Sequence, residues 1–164
     1  MKILEDLQIR RKIKRMAFEI AESNFECEKI YFLGINNNGF NYAKMLMKSL
    51  EKISDKELKL ARISLKPQNP VENDISIDID KSQLANEAII VVDDVANTGR
   101  TLFYAMEVLM DILPAKVETA VLVDRMHKQF PISVNYVGMT LATTIQDNIK
   151  VDLTEKGSYS VNLE

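Results

Sequence analysis

The sequence predicts an α/β fold: a mainly parallel sheet flanked by helices. Three observations predict it. Short apolar runs rich in branched and aromatic residues recur along the chain, and stretches of helical period separate several of them. One run, AIIVV at 88–92, is apolar at every position, the mark of a strand buried on both faces. The order strand, helix, strand then occurs twice, which favours parallel neighbours joined by helical crossovers.

Each element follows from its own pattern. Ile9, Ile13, Met16, Ala17 and Ile20 fall at helical spacing, so a first helix covers about 5–23, with Arg10, Arg11, Lys12, Lys14 and Arg15 on its polar side. KIYFLG (29–34) reads as a strand closed by glycine, and NNNG (36–39) as a turn-forming loop. Ala43, Leu46, Met47, Leu50 and Ile53 mark a second helix from Phe40 onward. LKLARIS (58–64) alternates and reads as a strand.

Residues 66–86 are polar and hold Pro67 and Pro70. Within them DISIDID (74–80) reads either as a short edge strand or as an arm of a loop. After the central strand, Leu102, Ala105, Met106 and Leu109 place a helix over 101–112, and Pro114 ends it. KVETAVLVD (116–124) and VNYVGM (134–139) are two further strands. The tail alternates weakly through KVDL and YSVNL. There is no internal repeat, and 164 residues suit one domain, taken as 1–164.

The totals narrow the function classes. A net charge of −3 argues against general nucleic-acid binding, although a local basic patch remains open. The lone cysteine, Cys27, sits between Glu26 and Glu28, which disfavours its thiolate and makes it an inert thiol. With no metal-spaced Cys/His cluster, no signal-like apolar run and no segment near the length of a membrane span, the chain reads as cytoplasmic, with no membrane partner. His127, the single histidine, reads as a surface or loop residue.

The chemistry concentrates in VVDDVANTGRT (91–101). Asp93 and Asp94 follow the buried strand, where a ligand can reach them. The loop after them feeds a helix near Thr101, whose free N–H groups and positive dipole end suit an anion. Gly99 permits close approach of a phosphate to the backbone, and Thr98 and Thr101 add hydroxyl donors. A ribose 5-phosphate satisfies both halves, with its hydroxyls on the carboxylates and its phosphate on the turn. Carboxylates placed there also favour positive charge at the anomeric carbon, or hold hydrated Mg²⁺. The bland reading of the pair is an acidic helix entry.

This run, VVDDVANTGRTL, resembles the phosphoribosyl-diphosphate (PRPP) binding motif of the type I phosphoribosyltransferases. RRKIKRMAFEIAESN (10–24), FLGINNNGFNYAKML (32–46) and above all LVDRMHKQFPISVNYVGMTLAT (122–143) are similar to one branch, the PyrR proteins. These are pyrimidine-operon regulators that double as uracil phosphoribosyltransferases.

The resemblance implies that fold, with a small hood region. It implies transfer of a phosphoribosyl group from PRPP to a pyrimidine base, uracil, through an oxocarbenium-like state, with Mg²⁺ on the pyrophosphate. Asp93 and Asp94 would be catalytic, facing the ribose hydroxyls and holding metal through water. Val95, Ala96, Asn97, Thr98, Gly99, Arg100 and Thr101 would bind the 5′-phosphate. Gly34, Ile35, Asn36, Asn37, Asn38 and Gly39 would form the pyrophosphate loop. Val137 and Gly138 would offer backbone hydrogen bonds to the base, with Tyr136 walling it.

The resemblance further implies a homodimer or a tetramer of dimers, and RNA bound on a basic face drawn from the first helix with Arg125, His127 and Lys128. Two departures bear on catalysis. Asn36 and Asn38 stand where the family pattern Gly-Ile-Arg-Thr-Arg-Gly is basic, and LKPQNP stands where the family has a mobile Tyr-Arg-Asp-Asp loop. A PRPP or nucleotide sensor with little turnover, and a purine phosphoribosyltransferase, are the alternative functions.

Overall fold

The strand at 88–92 is the centre of the molecule, as its unbroken apolar run demands. In the computed structural model, which describes residues 1–144 and 147–164, it forms part of β5 (Ala88–Ala96) in a six-stranded sheet. The other members are β2 (Lys29–Ile35), β3 (Glu57–Ser64), β4 (Ser76–Ile77), β6 (Lys116–Arg125) and β7 (Tyr136–Leu141), in the order β4-β3-β2-β5-β6-β7. Only β4 runs antiparallel, as a two-residue edge strand on β3. The segment 74–80 is therefore both of its readings: a brief edge strand inside a longer arm.

Side chains of β2 and β5 alternate between two apolar layers. Ile30, Phe32, Ile90 and Val92 enter one layer, with α1 (Asp6–Ser23) and α2 (Asn36–Glu51) packed over it. Tyr31, Leu33, Ile89 and Val91 enter the other, beneath α3 (Arg100–Ala105). The stripe expected on α1 is the buried one: Ile9, Ile13, Met16, Ala17 and Ile20 are each 5% exposed or less. Each larger member contributes roughly 1.5–3 kcal/mol by leaving water.

Three expectations change. The NNNG segment is not a loop but the first turn of α2, entered through Asn36 at φ 51°. Asparagine tolerates that left-handed conformation better than most residues. Asp93 and Asp94 lie within β5 rather than after it, because pairing with β6 continues to Ala96↔Asp124. The helix at 101–112 is a short α-turn, Arg100–Ala105, continued by a 3₁₀ turn at Met106–Leu109.

A second sheet escaped the sequence pattern in part. β1 (Lys2–Glu5), β9 (Ser160–Leu163) and β8 (Ile149–Asp152) form an antiparallel three-stranded sheet in that order. The weak alternation at the tail marked β8 and β9. β1 was not expected, since four residues beside a helix carry no period of their own. This small sheet is the hood, and Ile149 of β8 lines the cavity beside the acid pair. Among the described residues no helix is long and apolar enough to cross a membrane.

Candidate active site at the end of the central strand

Two adjoining cavities of about 430 Å³ each open at the carboxyl end of β5. One is lined by Asn36, Asn37, Asn38, Asp93 and Asp94. The other is lined by the turn 95–102 with Arg125. Val95, Asn97 and Thr101 border both, as does Pro67. The sheet edge thus brings together the acid pair, the turn and the asparagines of the 34–39 segment.

The acid pair is held by its own backbone. The Asp94 N–H donates to Asp93 Oδ1 at 2.9 Å, and the Val95 N–H donates to Asp94 Oδ1 at 2.9 Å. Asp93 is 8% exposed and Asp94 half-buried. Burial, with the adjoining Asp94 charge, holds the Asp93 carboxyl well above the usual carboxylate range; burial raises Asp94 as well. A site that penalises its own carboxylates favours positive charge placed beside them.

The sign of the resulting pH dependence follows from those shifts. A carboxyl whose folded pKa lies above its unfolded value of 3.8 costs the fold nothing while both states are protonated. Stability then falls as pH rises from that value through the raised one. Asp93→Asn should flatten this decline and melt above the wild type near pH 7, as thermal melts between pH 4 and 8 will show. Parallel curves for the two proteins would refute the assignment.

The turn after β5 bends at Gly99, which has φ 85° and is the N-cap of α3. A side chain there would be strained, and its Cβ would lie 3.3 Å from Lys128 Cδ. The Arg100 N–H is satisfied by Thr98 Oγ1 at 3.3 Å. The N–H groups of Asn97, Thr98 and Gly99 meet no protein acceptor among the described residues. The Thr98 carbonyl accepts from Gln129 and Phe130, which props the turn open. This arrangement offers donors to an anion.

Arg125 was grouped with a basic outer face, but the structure puts it here. Its Nη1 donates to Asn97 Oδ1 at 3.2 Å, its Nε to Thr143 Oγ1 at 2.9 Å and its Nη2 to the Thr144 carbonyl at 2.8 Å. No local pattern marks this place: it follows from the pairing of β5 with β6, which sets Asp124, the residue before Arg125, level with Ala96. Arg100 bridges elsewhere, donating from Nε to the Pro67 carbonyl at 3.1 Å.

The 34–39 segment is spent largely on itself. Asn36 clasps Leu65 through both of its backbone groups, donating to its carbonyl oxygen and accepting from its N–H, each at 3.0 Å. Asn38 Nδ2 donates to Asp94 Oδ2 at 3.1 Å. Gly34 and Gly39 are required by packing: a Cβ on either would fall within 2.4 Å of backbone. Lys66, the remaining cation of the 65–70 stretch, pairs with Glu72 at 3.0 Å.

The residues expected around a base are placed differently. Tyr136 is 3% exposed; its hydroxyl donates to the Glu118 carboxylate at 2.9 Å and accepts from Asn24 at 3.1 Å. At the start of β7 its ring belongs to the core beneath α1, so it walls neither cavity. Arg15 donates to the carbonyls of both Val137 and Gly138, and Lys12 to that of Gly138. Those oxygens thus accept from α1.

Most of the basic side chains expected on an outer face have partners within the protein. Arg10 pairs with Asp6, Arg15 with Glu19 and Lys128 with Asp124, and His127 bonds to the Thr143 carbonyl. Of the five on α1, only Arg11 and Lys14 make no hydrogen bond or ion pair among the described residues.

Two kinds of comparison bear on this geometry. The family described as "Phosphoribosyl transferase domain" matches residues 2–155. "Bifunctional protein PyrR" from Bacillus mycoides (strain KBAB4) is 35% identical over 167 residues, covering 93% of this chain and 90% of its own length; the protein of that name from Bacillus cereus (strain B4264) matches equally. Among solved structures, a hypoxanthine-guanine phosphoribosyltransferase from Bacillus anthracis superposes with a TM-score of 0.74 at 21% identity, over 86% of this chain and 82% of that one. The hypoxanthine phosphoribosyltransferase of Trypanosoma cruzi superposes with a TM-score of 0.78 at 18% identity, over 98% and 94%. These last two likenesses are likenesses of fold.

Proposed function

The chain belongs to the phosphoribosyl transferase family, in its PyrR branch, and on that premise we propose that it transfers the phosphoribosyl group of PRPP to uracil, giving UMP and pyrophosphate. The observation that carries the reading is the juxtaposition of a charge-penalised acid pair with a turn of unpartnered amides. Asp93 and Asp94 accept from the 2′ and 3′ hydroxyls, and residues 95–101 receive the 5′-phosphate. With the sugar held at both ends, its anomeric carbon lies beside two carboxylates that stabilise the developing oxocarbenium charge. The base nitrogen forms the new bond as the C1–O bond to pyrophosphate breaks; the electron pair leaves with the pyrophosphate, and the proton that the nitrogen carried passes to water or to the departing pyrophosphate.

The acid pair fits Mg²⁺ by the chemistry of its donors: two hard oxygen ligands whose mutual repulsion a divalent cation relieves. Among the described residues no three His, Cys, Asp or Glu side chains form a cage, so the pair would hold the ion through water, together with the substrate. Bound there, Mg²⁺ supplies charge neutralisation of the leaving pyrophosphate. Uracil is preferred as the base because the relatives at 35% identity are PyrR proteins, whereas the hypoxanthine-type transferases lie near 20%.

A second reading has a specific observation behind it. The side chains of Asn36, Asn38 and Lys66 are all engaged within the protein, so pyrophosphate meets no free cation in that segment. That favours a sensor that binds PRPP or UMP with little turnover. One assay separates the two. Protein, PRPP and Mg²⁺ are incubated with uracil, hypoxanthine or guanine in competition, and pyrophosphate and nucleotide are measured. Release of UMP is expected. Tight binding without turnover selects the sensor, and turnover confined to hypoxanthine or guanine refutes the uracil reading.

RNA binding by a homodimer draws less support, because α1 spends most of its cations internally. A salt-dependent gel shift of a pyrimidine-leader RNA hairpin, lost in Arg11→Glu/Lys14→Glu, tests it.

A further inference from the structure

A further cavity, of about 450 Å³, opens away from the end of the sheet. It lies in the groove between α1 and α2, on the side of these helices remote from β5. Its apolar floor is Ile13, Met45 and Ile53, with Tyr159 as an end wall. Its rim is Arg10, Lys14, Lys48, Lys52 and Lys156. Apart from Arg10, which pairs with Asp6, none of these cations makes an ion pair among the described residues. Five like charges around one depression, in a chain of net charge −3, need a counter-charge.

The end wall is fixed in place. The Arg10 guanidinium lies 5.0 Å from the centre of the Tyr159 ring, and the Tyr159 N–H donates to Asp6 Oδ1 at 3.4 Å. One ion pair thus anchors both a helix and the β8–β9 connection.

Size and chemistry together select the occupant. A cavity of this volume suits a small molecule. Lysines are flexible point charges suited to phosphate oxygens. Four of them with an arginine call for a ligand of several negative charges, while the apolar floor calls for a planar or apolar body. The geometry points to a second ligand site in this groove, for a nucleoside di- or triphosphate, with its phosphates on the lysine rim and its base over Ile13, Met45 and Ile53.

The groove also has a physical route to the acid pair. The β8–β9 connection supplies Lys156 and Tyr159 to the groove, while Leu153 and Thr154 at its start, with Val151 of β8, border Asp94 and Asn38. A ligand that shifts this connection therefore reaches the residues beside Asp94.

The test titrates the full chain with GTP by calorimetry, with and without saturating PRPP. A saturable GTP site that persists with PRPP present is expected. Lys48→Glu/Lys52→Glu should weaken it at least about tenfold, since each lysine lost is a charged hydrogen-bond donor. Lys14→Ala/Lys156→Ala should also weaken it, and Asp94→Asn should leave it unchanged. Both lysine variants should melt near the wild type.

Absence of GTP binding, equal affinity in the lysine variants, or loss of binding in Asp94→Asn overturns the site. Equal affinity for GTP and inorganic tripolyphosphate overturns the nucleoside part. PRPP that fails to bind refutes the proposed function alone, because the variant series reads the groove without it.

Discussion

Asp94→Asn is expected to fold and melt within a few degrees of the wild type, while kcat/KM for PRPP falls about 10²-fold, the scale seen when one preorganised electrostatic group is removed. The fold survives because the amide preserves the local bonds. Its Oδ1 still accepts the Val95 N–H, and the Asn38 amide turns over to present its oxygen to the new nitrogen. What disappears is one negative charge at the place where positive charge develops. That charge is costly in the free protein, since burial raises the Asp94 carboxyl, and the cost is recovered only when a cationic species sits beside it. Steady-state kinetics with a parallel thermal melt measure both quantities. An unchanged kcat/KM in a folded variant would remove Asp94 from the chemistry and, with it, the proposed function.

Gly39→Ala is expected to cost the fold heavily for the addition of one methyl group. The Cβ would stand 2.4 Å from the Val92 carbonyl oxygen and 3.3 Å from Asp93 Cα. Both obstacles are backbone of the central strand, which β2 and β6 pin on either side. Neither yields without breaking sheet pairing, so α2 must move instead. Overpacking of this kind costs about 3 kcal/mol, which lowers Tm by roughly 6–12 °C in a domain of this size. Moving the start of α2 also carries Asn38 away from Asp94. PRPP binding should therefore weaken even at temperatures where the variant is folded. Differential scanning calorimetry with PRPP titration distinguishes this outcome from a glycine that serves the ligand alone, which would leave Tm unchanged.

Much of this geometry was legible residue by residue. The acid pair, the turn with its unpartnered amides and Gly99 stand within eleven consecutive positions, and chain connectivity delivers them together. Arg125 was singled out but assigned to the wrong surface, because nothing local says that its guanidinium turns toward Asn97. Tyr136 was misplaced for a similar reason. Alternation along β7 fixes that it differs in facing from Val137, but not which face meets α1. The asparagines were recognised as uncharged, yet their partners Leu65 and Asp94 are 29 and 56 residues away.

The sequence by itself determined the parallel sheet, its buried central strand, the two amphipathic helices over it and the acidic turn, because each is written as a short-range period or a contiguous motif. Tertiary structure alone decided the pairing of β1 with β9 across the length of the chain, the clasp of Asn36 on Leu65 and the lysine-rimmed groove between α1 and α2. Those contacts join residues whose separation leaves no local signature, and they exist only because helices packed on a twisted sheet bring distant side chains within hydrogen-bonding reach.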